Sequence, residues 1–183
     1  FSKVQNYIPV YSEFFELSKN NYNLINLNSK YSITNIEDTH ESNFFLINVE
    51  NEKKESLNKI SFFKFSPLLN PLKFLTGKYK NLTKDSELNP SIEKQYSKKD
   101  NHLKKIYDSN NTSYVDGFFS FLSSKLLNNH NFIFGNDYYG SFLGIQKEFN
   151  VNVYDDLDYL HQSEYFHKNK DVIFKLDNFV SSL

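Results

Sequence analysis

Residues 113–146 read SYVDGFFSFLSSKLLNNHNFIFGNDYYGSFLGIQ, and this stretch decides the fold class. Val115, Phe118, Phe119, Leu122 and Leu126 fall at i, i+3, i+4, i+7 and i+11. That is one face of a 3.6-residue period, so the spacing predicts a helix over Tyr114–Asn128 with this face in the core. Ser113 followed by Asp116 has the form of a capping box. Asn128 and Asn129 tolerate the left-handed conformation that ends a helix. Phe121 and Leu127 widen the apolar surface, so cover on more than one side is expected. Gly117 in the first turn costs about 1 kcal/mol relative to Ala, which calls for a close neighbour. Four of the five glycines of the chain lie in this stretch. Beyond the helix, Phe132–Phe134 and Tyr138–Gln146 have the aromatic and glycine-punctuated pattern of short strands. Gly140 and Gly144 mark a bulge or a close approach of another backbone.

Upstream, Phe44–Glu50 (FFLINVE) and Ile60–Phe65 (ISFFKF) read as strands, joined by a charged loop over Asn51–Asn58. They form an antiparallel hairpin. Alternation sets Phe63 and Phe65 on one face and Lys64 on the other. There Lys64 either faces water, the usual place for lysine, or points into a cleft. Val10–Leu17 reads as a short helix after Pro9, and Asn20–Ile36 as irregular or strand-like. In SPLLNPLKFLTGKY, Ser66 is a candidate N-cap, Pro67 suits the first helical position and Gly77 suits a C-cap. Pro71 limits the regularity of that segment. Downstream, Val151 and Val153 predict a short strand, Asp155 or Asp156 opens an acidic helix, and Val172–Leu176 alternates as a last strand.

The expected class is therefore α+β: a small, mostly antiparallel sheet packed by one apolar helix, with an acidic helix to one side. Residues 1–40 form an extension and 41–183 the main unit. Within that unit, 80–111 is a polar surface insertion. The chain begins at Phe1 rather than Met, so a fragment of a longer protein is expected.

Composition excludes several functions. The 21 basic residues are all lysine and face 22 acidic ones, for a net charge of −1. That balance gives no electrostatic case for nucleic acid or an anionic membrane. Without Arg, no bidentate guanidinium is present for phosphate or carboxylate. Without Cys, neither a disulfide nor a thiolate site can form, which fits an intracellular setting. No apolar run approaches the roughly 20 residues of a bilayer span. Ala, Met and Trp are also absent, so the core falls to Phe, Tyr, Leu and Ile, aromatics making up 17% of the chain.

Among chemical motifs, Asp158-x-x-His161 and Glu164-x-x-His167 have a carboxylate-x-x-His metal spacing. Both pairs lie on one expected helix with no facing helix to complete a site, so a solvated face is the favoured reading. Nucleophile elbows, Walker loops and zincin motifs are missing. No glycine occurs before Gly77, so no phosphate-cradling turn precedes the Lys64 strand.

One order of elements stands out: a strand with a central lysine, an apolar helix, then short strands with an aromatic-Gly-x-aromatic element. It matches the small lobe of protein kinases, where a strand lysine binds ATP phosphates and a helix acid holds that lysine. FFKFSPLLNPLKFLTGKY, the 114–145 block and DDLDYL resemble a protein family of large nucleocytoplasmic DNA viruses (giant viruses) with a kinase-like remainder. The resemblance covers roughly residues 60–80 and 112–177, and the AT-rich-codon composition is compatible with it. It implies an N-terminal small-lobe region of a viral kinase-like protein, in infected host-cell cytoplasm or the virion. Lys64 would be the nucleotide lysine, Asp116 its helix acid, and ATP with Mg the ligand. The His-Arg-Asp and Asp-Phe-Gly elements are not in these residues, so this stretch alone does not transfer phosphoryl groups. The rival reading is a non-catalytic viral interaction or structural module, or a pseudokinase. A protein-binding role would be favoured by an exposed aromatic patch on Phe118, Tyr138 and Tyr139.

Overall fold

The computed structural model describes residues 1–28, 30–80, 89–92 and 101–177. The fold is α+β, with two small antiparallel sheets and a few helices among the described residues. β2 (Ser32–Asp38), β3 (Phe44–Glu50) and β4 (Ser56–Phe62) form a three-stranded meander. β1 (Ser2–Gln5) pairs separately with β5 (Leu143–Ile145), joining the start of the chain to the segment that follows α3. The helices are α1 (Pro71–Leu75), α2 (Asn101–Tyr107), α3 (Thr112–His130), α4 (Leu157–His161) and α5 (Glu164–Asn169).

β3 forms over the expected residues. Ile47 and Val49 are fully buried on the inner face of the meander, while Phe44 on the opposite face is exposed. The connection to β4 is tighter than expected, with Glu50 already paired to Ser56. β4 correspondingly ends at Phe62, so Lys64 lies just past the strand rather than inside it.

α3 is the main helix, but its caps and its buried face differ from expectation. Asn111 is the N-cap: its Oδ1 accepts the Ser113 N–H at 3.0 Å, and its Nδ2 donates to the Lys105 carbonyl at 2.7 Å. That second bond ties the cap to α2, and Ser113 bonds Ser66 instead. The C-cap is Asn131, left-handed at φ 56°.

The face of Val115, Phe119, Leu122 and Leu126 is exposed, Phe119 by 68%. The side turned inward carries Tyr114, Phe118, Phe121 and Ser124. Hydrogen bonding fixes this choice, because Tyr114 OH donates to the Ile106 carbonyl at 2.7 Å and Ser124 Oγ accepts the Tyr138 N–H at 3.0 Å. Tyr114 packs with Ile8 and with Val10 and Tyr11 of the 3-10 segment Pro9–Glu13, and Phe118 stacks on Phe14 at 4.5 Å. The close neighbour that Gly117 requires is Ser141, whose Oγ would lie 2.9 Å from a Cβ there.

A second core joins α1 to the C-terminal helices through Leu75, Val153, Leu157, Leu160 and Phe166. The single acidic helix expected here is broken at Gln162–Ser163, where Ser163 caps α5 by accepting the Phe166 N–H. α1 is capped by Asn70, not Ser66, and Gly77 follows it at φ +75°. Three expected strands do not form. Residues 132–134 turn back directly after the Asn131 cap, 151–153 lead into a 3-10 turn, and 172–176 make only a bridge from Phe174 to Lys170. Much of the expected insertion, 81–88 and 93–100, lies outside the described residues. Its remaining parts join the body: Pro90 and Ile106 are buried, and the Pro90 carbonyl accepts from Gln5. No described helix is long and apolar enough to cross a membrane.

Candidate functional site

Lys64 and Asp116 meet. Lys64 Nζ donates to Asp116 Oδ2 at 2.7 Å, with the two side chains 66% and 50% exposed. The hydroxyls of Ser66 and Ser113 approach to 2.7 Å beside them. Two bridges therefore fasten the chain leaving β4 to the first turns of α3.

Alternation orients this lysine. Phe45, Phe63 and Phe65 contact one another on the inner side. Ile60, Phe62 and Lys64 take the other side, where Phe62 meets Phe44 across the strands at 5.4 Å between ring centroids. Ile60 and Phe62 are 70% and 56% exposed. An open apolar strip thus ends in an ion pair. The β2–β3 turn lies at the same end of the sheet, since the Phe63 N–H donates to the Asn43 carbonyl at 2.7 Å. Its residues 39–43 contain no glycine, and His40 and Asn43 take positive φ of 62° and 64°. A shallow depression of about 350 Å³ adjoins Asp116, lined by Asn110, Thr112, Val115 and Phe119.

An ammonium held open to solvent can meet a phosphate as a point charge. Among the described residues no group of three or more His, Asp or Glu is placed to hold a metal. The two carboxylate-x-x-His motifs lie on α4 and α5. His161 and His167 have ring centroids 5.5 Å apart, but His167 Nε2–H donates to the His161 carbonyl at 2.8 Å.

Phe118, Tyr138 and Tyr139 do not form an exposed patch, since all three are half-buried. Phe118 is covered by Phe14, Tyr138 OH donates to Ser141 Oγ at 2.5 Å, and Tyr139 OH accepts from Lys59 at 3.0 Å. Phe119, Phe132 and Phe134 are among the aromatic side chains that are exposed.

The sequence reading missed Lys59. Its Nζ lies 5.5 Å from the Tyr139 ring centroid, 5.7 Å from that of Tyr31 and 4.0 Å from Asp137 Oδ2. The hydrogen bond to Tyr139 holds its pKa above the usual lysine range. Alternation places it on the inner face opposite Ile47, which is the signal that a charged partner had to lie there. Comparisons with protein-family models, with curated proteins and with solved structures found no match.

Proposed function

We propose that this chain is the small-lobe-like region of a viral kinase-like protein, and that Lys64 contacts the phosphates of ATP. The observation that carries the reading is the 2.7 Å pair between a lysine leaving the third strand of an antiparallel meander and an acid in the first turns of the next long helix. Kinase small lobes hold their phosphate-binding lysine with a helix acid in this way. Asp116 orients the ammonium, the exposed strip of Ile60 and Phe62 offers a flat apolar surface for a base, and magnesium arrives on the phosphates. The region binds and positions, and phosphoryl transfer requires elements outside it.

Isothermal titration with ATP and magnesium tests this. Saturable binding by the wild type, lost in Lys64→Ala and weakened in Asp116→Ala, is the expected result. Absence of binding, or equal binding by both variants, overturns it. The second reading, an interaction module, is favoured by a different observation: α3 exposes Val115, Phe119, Leu122 and Leu126 along one side.

A further inference from the structure

We infer that the outer edge of β4 takes up an extended peptide segment of another protein as an added strand. Among the described residues β4 is the last strand of its sheet. The backbone bonds Phe63 N–H to Asn43 O and Asn51 N–H to Glu55 O, at 2.7 and 3.2 Å, fix the phase of the β3–β4 ladder. With the register Phe45↔Ser61, Ile47↔Lys59 and Val49↔Leu57, the odd residues of β4 turn their backbone groups toward β3. Ser56, Asn58, Ile60 and Phe62 therefore turn theirs outward. Among the described residues nothing hydrogen-bonds those outward groups.

An open apolar face does not specify what covers it, whereas an open row of alternating N–H and C=O groups is met by an extended backbone. The other edge is guarded. β2 carries Asn35, Glu37 and Asp38, the polar and acidic residues that discourage pairing. β4 has no proline, and its one charge, Lys59, is held on the inner face by Tyr139. Its outward-paired residues Ile60 and Phe62 are exposed beside Phe44. The fitting segment therefore has apolar residues at two alternate positions.

A second copy of β4 fits less well. Antiparallel self-pairing centred on Lys59 sets lysine against lysine, Ile60 against Asn58 and Phe62 against Ser56. Centred on Ile60, it still sets Phe62 against Asn58. Only a register centred on Ser61 matches Ile60 to Phe62, and it spans just residues 60–62 of the strand. The incoming strand is thus heterologous, and this inference does not depend on nucleotide binding at Lys64.

The test uses a fluorescein-labelled peptide, Thr-Val-Thr-Ile-Thr-Val-Thr, titrated by anisotropy against the whole chain. A copy N-methylated on alternate backbone nitrogens serves as control. Saturable binding is expected, weakened about tenfold or more by Ile60→Lys, and by Asn58→Pro, which removes an outward N–H and the exposed Asn48–Asn58 side-chain bond but no backbone bond of the β3 ladder. Circular dichroism and melting temperature of both variants should stay near wild type, and the N-methylated peptide should not bind. Three results would overturn the inference. These are no binding, equal binding of the N-methylated peptide, or concentration-dependent dimerisation abolished by Ile60→Lys, which would assign the edge to a second copy.

Discussion

Lys64 Nζ lies 2.7 Å from Asp116 Oδ2, a contact that crosses 52 residues of sequence to join the end of β4 to the start of α3. Both partners are at least half exposed, and exposed pairs contribute about 0–1 kcal/mol. Asp116→Ala should therefore shift the melting temperature little, with the shift shrinking as salt is raised. A large loss of stability, measured by urea unfolding, would show that the pair serves the fold more than a ligand.

The two faces of α3 give a sharp contrast in stability. Phe119 and Leu122 are exposed, so their replacement by Ala should cost under about 1 kcal/mol. Leu160→Ala and Phe166→Ala empty a core in which both residues are almost completely buried, and each should cost about 2–5 kcal/mol. Denaturant midpoints on the four variants check the assignment. If Phe119→Ala costs as much as Phe166→Ala, the exposed stripe is covered in solution.

How much of this was legible follows from particular residues. β3 was readable because FFLINVE is a short aromatic and β-branched run bounded by polar loops, and Ile47 and Val49 within it are fully buried. The extent of α3 was also readable within a few residues. Its orientation was not, because aromatic residues lie on several sides of the helix and periodicity weighs only hydrophobicity. Tyr114 and Ser124 win the inward side by hydrogen bonds to Ile106 and Tyr138, partners distant enough in sequence to leave no periodic signal. The Lys64–Asp116 meeting was anticipated from the order of strand and helix. The Lys59 cage was not, since Tyr31 and Tyr139 converge on it from opposite sides in the sequence.

Ser124 supports a second stability prediction. It is fully buried, and its Oγ accepts the Tyr138 N–H. Ser124→Ala removes only one oxygen but strands that donor, at a cost of about 1–3 kcal/mol. Hydrogen exchange should show the Tyr138 amide losing protection, whereas retained protection would mean another acceptor has taken over.

Alkaline pH should destabilise the protein. Burial pushes the phenols of Tyr11 and Tyr114 well above 10.0, and Tyr138 moves the same way. The unfolded chain ionises near 10 while the fold keeps these groups neutral, so above that pH the folded state holds more protons. The associated stability is complete below pH 10 and falls as pH rises past it. Unfolding followed at 295 nm between pH 9 and about 12 checks this, and early, unfolding-independent ionisation of all tyrosines would contradict it.

Zinc or ferrous iron should leave the melting temperature unchanged, because His161 and His167 are arranged by a hydrogen bond to backbone rather than around a metal position. A dose-dependent rise in a thermal scan, lost in His161→Ala, would contradict that.

The central claim is that Lys64 meets nucleotide phosphates, and a lysine-reactive acyl phosphate of ATP tests it most directly. The reagent delivers its acyl group to an amine beside the bound phosphates, and peptide mass spectrometry locates the product. The account predicts modification of Lys64 ahead of the other lysines, suppressed by excess ATP. Labelling of Lys64 no faster than that of exposed Lys54, with no protection by ATP, would contradict it.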